Sequence, residues 1–100
     1  MTNRLDSTED PAIRVSVRYT GRVQGVGFRA TATDTARPFE VTGYVTNEPD
    51  GSVLLEAQGP RHDVEAFLGR LNERMSTLID HAEELPLGLD REERGFEIRY

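Results

Sequence analysis

The stretch Ile13-Arg14-Val15-Ser16-Val17-Arg18-Tyr19-Thr20-Gly21-Arg22-Val23-Gln24-Gly25-Val26-Gly27-Phe28-Arg29 changes pattern twice. In its first part Ile13, Val15, Val17 and Tyr19 alternate with Arg14, Ser16, Arg18 and Thr20. That period of two predicts a strand with one buried face, and it leaves Arg14, Arg18 and Arg22 on a solvated one. Gly21 to Gly27 then form a glycine-rich loop. From Phe28 to Ala36 the spacing becomes helical, with Phe28, Ala32, Ala36 and Phe39 as a thin apolar stripe and Pro38 as a stop. Three threonines lower its intrinsic helix propensity, so the helix must be held by close packing on a sheet.

Downstream, Val41–Asn47 reads as a second strand, with Val41, Gly43, Val45 and Asn47 on one face. Pro49-Asp50-Gly51 supplies a turn, Pro fitting its first central position and Gly51 a positive φ. Ser52–Gln58 should return antiparallel. Gly59-Pro60 is expected to open a second helix whose Val64, Phe67, Leu68, Leu71 and Met75 form a buried stripe. Phe96, Ile98 and Tyr100 mark a closing strand, and something strand-like is expected around Ala82–Leu87 in the otherwise irregular Ser76–Arg94. The order strand, helix, strand, strand, helix, strand is the α+β, ferredoxin-like split βαβ arrangement (βαββαβ): an antiparallel sheet with two helices on one face. Upstream, the polar residues 1–11 lack apolar periodicity and are expected to be a disordered extension to one domain at 12–100.

Composition narrows the chemistry. Cysteine is absent, which removes disulfides, thiolate zinc sites and cysteine nucleophiles. No metal or cofactor is expected. The net charge is −6, and all 12 basic residues are arginine, which opposes a general nucleic-acid footprint. No apolar run approaches the ~18 residues of a membrane span, and Met1–Pro11 lacks the features of a signal peptide, so a cytoplasmic location and no membrane partner are expected.

The glycines at 21, 25 and 27 stand between a strand end and a helix start, where backbone N–H groups converge on an anion and the helix dipole favours negative charge. Such loops are most often plain tight turns, and this one matches neither the Walker A nor the dinucleotide pattern. Arg29 favours a phosphate cradle. A cation at a helix start is unfavourable unless an anion compensates it, and its planar fork binds two phosphate oxygens at once.

Gly21-Arg22-Val23-Gln24-Gly25-Val26-Gly27-Phe28-Arg29 resembles one signature of the acylphosphatase family, and Gly43-Tyr44-Val45-Thr46-Asn47 with Asp50-Gly51-Ser52-Val53 resembles the other. Asn47 follows Arg29 by 18 residues, as the family pattern requires. The resemblance covers about Val15–Leu71 and returns at Phe96–Tyr100. It implies a ferredoxin-like hydrolase of acyl phosphates in which Arg29 and the amides of Val23, Gln24, Gly25, Val26, Gly27 and Phe28 hold the phosphoryl group. Asn47 would position the attacking water, with neither metal nor phosphoenzyme, and inorganic phosphate would be both product and competitive inhibitor. A monomer is expected. The alternative is a non-catalytic module that holds an acyl or carbamoyl phosphate for another enzyme.

Other residues attract simpler readings. His62 and His81 are expected at the surface, Asp34 on a helix face and Asp50 in the turn. Ser16 and Ser52 have no His–Asp partners suggested by any motif.

Overall fold

The computed structural model describes residues 10–100. Of the extension expected over residues 1–11, residues 1–9 lie outside that range. Asp10 and Pro11 are tied to the chain that follows: Asp10 Oδ1 accepts from the His62 amide at 3.2 Å, and the Pro11 carbonyl from the Arg61 amide at 3.1 Å.

Strand β1 (Ala12–Gly21) lies near the middle of a five-stranded sheet with β2 (Thr42–Asn47), β3 (Val53–Pro60), β4 (Ile79–Leu87) and β5 (Phe96–Arg99), in the order β4-β1-β3-β2-β5. Helices α1 (Phe28–Ala36) and α2 (Arg61–Arg74) pack on one face and on each other. Between sheet and helices lies the core expected from the alternation: Val15, Val17 and Tyr19 of β1, Val45 of β2, Val53, Leu55 and Ala57 of β3, all buried. They meet Phe28, Ala32 and Ala36 from α1 and Val64, Phe67, Leu68 and Leu71 from α2, with Met75 just beyond it. No helix among the described residues is long and apolar enough to cross a membrane.

Three boundaries differ from the sequence reading. Gly59 and Pro60 end β3 instead of opening α2, because β1 still offers them partners, Ile13↔Gly59 and Ala12↔Pro60. Pro60 serves as the residue flanking the helix start. The ferredoxin-like order is completed by Ile79–Leu87, three residues longer than expected, while the closing strand is a fifth one on the opposite edge. That fifth strand runs parallel to β2, with Val45↔Ile98 and Thr46↔Arg99, so the sheet is mixed, the other pairings being antiparallel. The segment from Gly88 to Gly95 carries the chain across the sheet from the β4 edge to the β5 edge.

The solvated face expected for Arg14 is corrected by that crossover. Arg14 is only 6% exposed. Its guanidinium pairs with Glu93 and Glu56, each at 2.8 Å, and donates to Gln58 Oε1 at 3.3 Å. Glu93 also accepts from Thr42 Oγ1 at 2.8 Å, and Gln58 exchanges two hydrogen bonds with the backbone of Asp90. The Glu93 hydrogen bond raises the Arg14 pKa against the opposing effect of burial. Burial alone would push Glu93 up, but the Arg14 and Thr42 bonds outweigh it and hold the carboxyl below its ordinary value. Arg18, partly exposed, donates to Ser52 Oγ at 2.9 Å, and Arg22 is exposed as expected.

Candidate active site

The functional residues expected from the sequence gather at one end of the sheet, where β1 and β2 finish. Arg22–Gly27 leave the end of β1 as a loop anchored by Val23, which is 1% exposed, and by the Arg22 amide on the Leu78 carbonyl at 2.9 Å. Gly25 and Gly27 have φ near 76° and 80°, a region L side chains rarely adopt. A Cβ at either would meet nothing within 4 Å, so backbone conformation and not crowding selects glycine there. Gly27 directly precedes α1, and the first α1 amide paired within the helix start is that of Thr31, on the Gly27 carbonyl at 2.9 Å. The amides of Phe28, Arg29 and Ala30 are left for an outside acceptor. The first turn of α1 contains no acidic residue, which keeps its positive dipole end open to an anion.

Phe28 turns its ring into the core, 4.9 Å from that of Tyr19, and so fixes the helix start. Arg29, next along, is partly exposed and sits with its guanidinium carbon 4.8 Å from the centre of the Tyr100 ring.

Asn47 ends β2 opposite Val53. Beyond it, Glu48–Gly51 form the expected turn, closed by the Gly51 amide on the Glu48 carbonyl at 3.1 Å. Asp50 acts within that turn: its carboxylate accepts from the Ser52 hydroxyl at 2.6 Å and the Ser52 amide at 2.9 Å, which lowers its pKa. Gln24 joins loop to turn, its side-chain amide donating at 2.8 Å to the carbonyls of both Glu48 and Ser52.

Arg29 and Asn47 line one cleft of about 180 Å³ with Val23, Gly25, Gly27, Phe28, Ala30, Ile98 and Tyr100. Of the expected cradle residues, Gln24 and Val26 are not in this lining: the Gln24 side chain is spent on the turn, and Val26 is exposed. The cleft wall contains one charged side chain, Arg29, and no acidic one. A protein of net charge −6 therefore offers an anion a locally positive pocket. Among the described residues no three His, Asp or Glu side chains gather as metal ligands. His62 and His81 are exposed, and Asp34 pairs with Arg74 at 2.9 Å on a helix surface.

Sequence reasoning missed Ile98 and Tyr100 as cleft residues and the side-chain role of Gln24. The alternation Phe96, Ile98, Tyr100 already put the first two on the helix face of β5, but their place beside Asn47 required the parallel pairing.

Fold and cleft together define a small α+β protein with a glycine-rich loop and a cleft at a helix start. A family model described as Acylphosphatase matches residues 15–98, and the chain belongs to that family of hydrolases. It is 39% identical over 88 residues to the acylphosphatase of Oceanobacillus iheyensis, covering 86% of this chain and 97% of that one. It is 55% identical over 60 residues to the acylphosphatase of Salinibacter ruber, covering 60% of this chain, and there it spans only 63% of the relative's length. In structure it is similar to the acylphosphatase of Bacillus subtilis, with a TM-score of 0.78 at 25% identity over 88% of this chain and 99% of that one.

Proposed function

We propose that this enzyme hydrolyses the carboxyl–phosphate bond of acyl phosphates by direct attack of water. The observation that carries the reading is the cleft in which Arg29, Asn47 and the open start of α1 meet without an acidic side chain. In the proposed reaction the Arg29 fork and the amides of Val23 to Phe28 hold the phosphoryl oxygens. The Asn47 amide orients a water in line with the bond to be broken. The water oxygen forms a new bond to phosphorus, the phosphorus–acyl oxygen bond breaks, and a carboxylate leaves with that electron pair while the water's proton passes to a phosphoryl oxygen. Phosphoryl transfer with so good a leaving group needs mainly positioning and stabilisation of charge on the equatorial oxygens. Asn47 is suited to this because a neutral amide binds water without repelling the substrate. The domain at 12–100 with its extension at 1–11, the cytoplasmic location and the monomeric state belong to the same proposal.

The test is turnover of acetyl phosphate by the purified protein, with inorganic phosphate as competitor and with a chelator present. We expect hydrolysis, competition, and a rate the chelator leaves unchanged. Arg29→Lys should lose nearly as much as Arg29→Ala, on the order of 100-fold or more, because a point charge does not replace a bidentate fork. Phosphate binding without turnover would favour the non-catalytic module, and activity lost to the chelator and restored by a divalent ion would overturn the mechanism.

A further inference from the structure

The most distinctive contact in the cleft is the one that the proposed reaction does not use. The guanidinium carbon of Arg29 lies 4.8 Å from the ring centre of Tyr100. Tyr100 is 97% exposed, so burial in the core does not account for its place. The sheet does. Parallel pairing matches Val45 with Ile98 and Thr46 with Arg99, and one step further along the two strands stand Asn47 and Tyr100. Strand β5 is fixed on both faces: Phe96 packs edge-on to Phe67 at 5.3 Å, and Arg99 lies 4.0 Å from the Tyr44 ring.

We propose that Tyr100 is a positioning residue for Arg29, its ring holding the guanidinium where it meets the phosphoryl group. A guanidinium has five N–H donors, and an aromatic ring holds the cation without taking a conventional hydrogen bond from any of them. A carboxylate partner would occupy two of them and place negative charge beside an anionic substrate. The ring attracts the cation through its quadrupole with no net charge. Among the described residues no side chain accepts a hydrogen bond from Arg29, and Tyr100 is the aromatic ring beside it.

The inference rests on the reading that Arg29 binds phosphoryl oxygens, and the test separates the two. Tyr100→Phe and Tyr100→Leu are made alone and in the Arg29→Ala background. Inorganic phosphate binding is followed by NMR titration, with kcat and KM for acetyl phosphate and thermal stability alongside. Tyr100→Leu should weaken phosphate and raise KM roughly two- to five-fold, the equivalent of an exposed cation–π contact, with a smaller effect on kcat. Tyr100→Phe should stay close to wild type, neither variant should change the melting temperature, and Tyr100→Leu should add nothing once Arg29 is alanine. A Leu variant that binds phosphate like wild type, a Phe variant as impaired as Leu, or an undiminished Leu effect without Arg29 overturns the inference. Wild-type phosphate binding by Arg29→Ala overturns the underlying reading instead.

Discussion

The side-chain amide of Gln24 donates at 2.8 Å to the carbonyl of Glu48, the residue that follows Asn47. With its second bond, to the Ser52 carbonyl at 2.8 Å, it fixes the separation between the Arg22–Gly27 loop and the turn that follows Asn47. The loop between β1 and α1 and the β2–β3 hairpin are separate parts of the chain, and this is a side-chain link between them.

Removing that link should loosen the cradle without unfolding the protein, since Val23 and the Arg22 amide still anchor the loop. Gln24→Ala is expected to weaken inorganic phosphate and to lower kcat/KM about tenfold, near 1.4 kcal/mol, the scale of one or two net hydrogen bonds. Gln24→Glu should be worse, because a carboxylate would face two carbonyl oxygens and repel the substrate. Unchanged phosphate inhibition in Gln24→Ala would show that the backbone alone holds the loop.

The clasp between Arg14 and Glu93 predicts an acid limb of stability. The folded Glu93 carboxyl sits below its ordinary value of 4.5, so the pair stabilises the protein fully above that pH. The contribution is lost as pH falls through the lower folded value. Glu93→Gln should cost about 1.5 kcal/mol at neutral pH, the scale of one charge-assisted bond, because Arg14 keeps Glu56 as a carboxylate partner. It should also flatten the decline below pH 4.5, which melting curves at pH 7 and pH 4 will reveal. A variant as stable as wild type at pH 7 would mean that the Arg14–Glu93 clasp adds nothing to folding.

Tyr19 presents the opposite case, a polar atom in the core for which the described residues provide no hydrogen-bond partner. Burial holds the phenol protonated and raises its pKa. Tyr19→Phe keeps the ring contact with Phe28 and removes the hydroxyl, so it should stabilise the fold by about 1 kcal/mol. For a domain of this size that is roughly 4–8 °C in Tm. A lower Tm would show that the hydroxyl is satisfied in solution.

What the sequence made legible follows from where periodicity survives. Ile13 to Tyr19 alternate because one face of β1 meets helices, and Val64 to Met75 form a stripe because α2 lies on the sheet. Arg29 at a helix start and Asn47 before a turn, the two residues proposed for the site, were readable as candidates from their motifs, and the structure brings them into one cleft. By contrast β4 is an edge strand exposed almost throughout, so its sequence carries no apolar alternation to read. Nor does local pattern reveal the burial of Arg14, whose partner Glu93 lies 79 residues away and arrives only with the crossover.

Asn47 provides the sharpest test of the proposed mechanism. Among the described residues no group hydrogen-bonds to its side chain, although it lines the cleft with Arg29. An interaction with the water that strengthens only as the water attacks lowers the barrier without tightening ground-state binding. Asn47→Ala should therefore bind inorganic phosphate nearly as wild type does and show little change in KM. Its kcat should fall on the order of 100-fold or more, about 3 kcal/mol, as when one oriented donor is lost at a transition state. Were Asn47 merely a strand end before the turn, the same change would lower the melting temperature and spare kcat. Both quantities measured on one purified variant decide it: a destabilised protein with wild-type kcat removes Asn47 from the mechanism, and a stable one that binds phosphate but hardly turns over places it there.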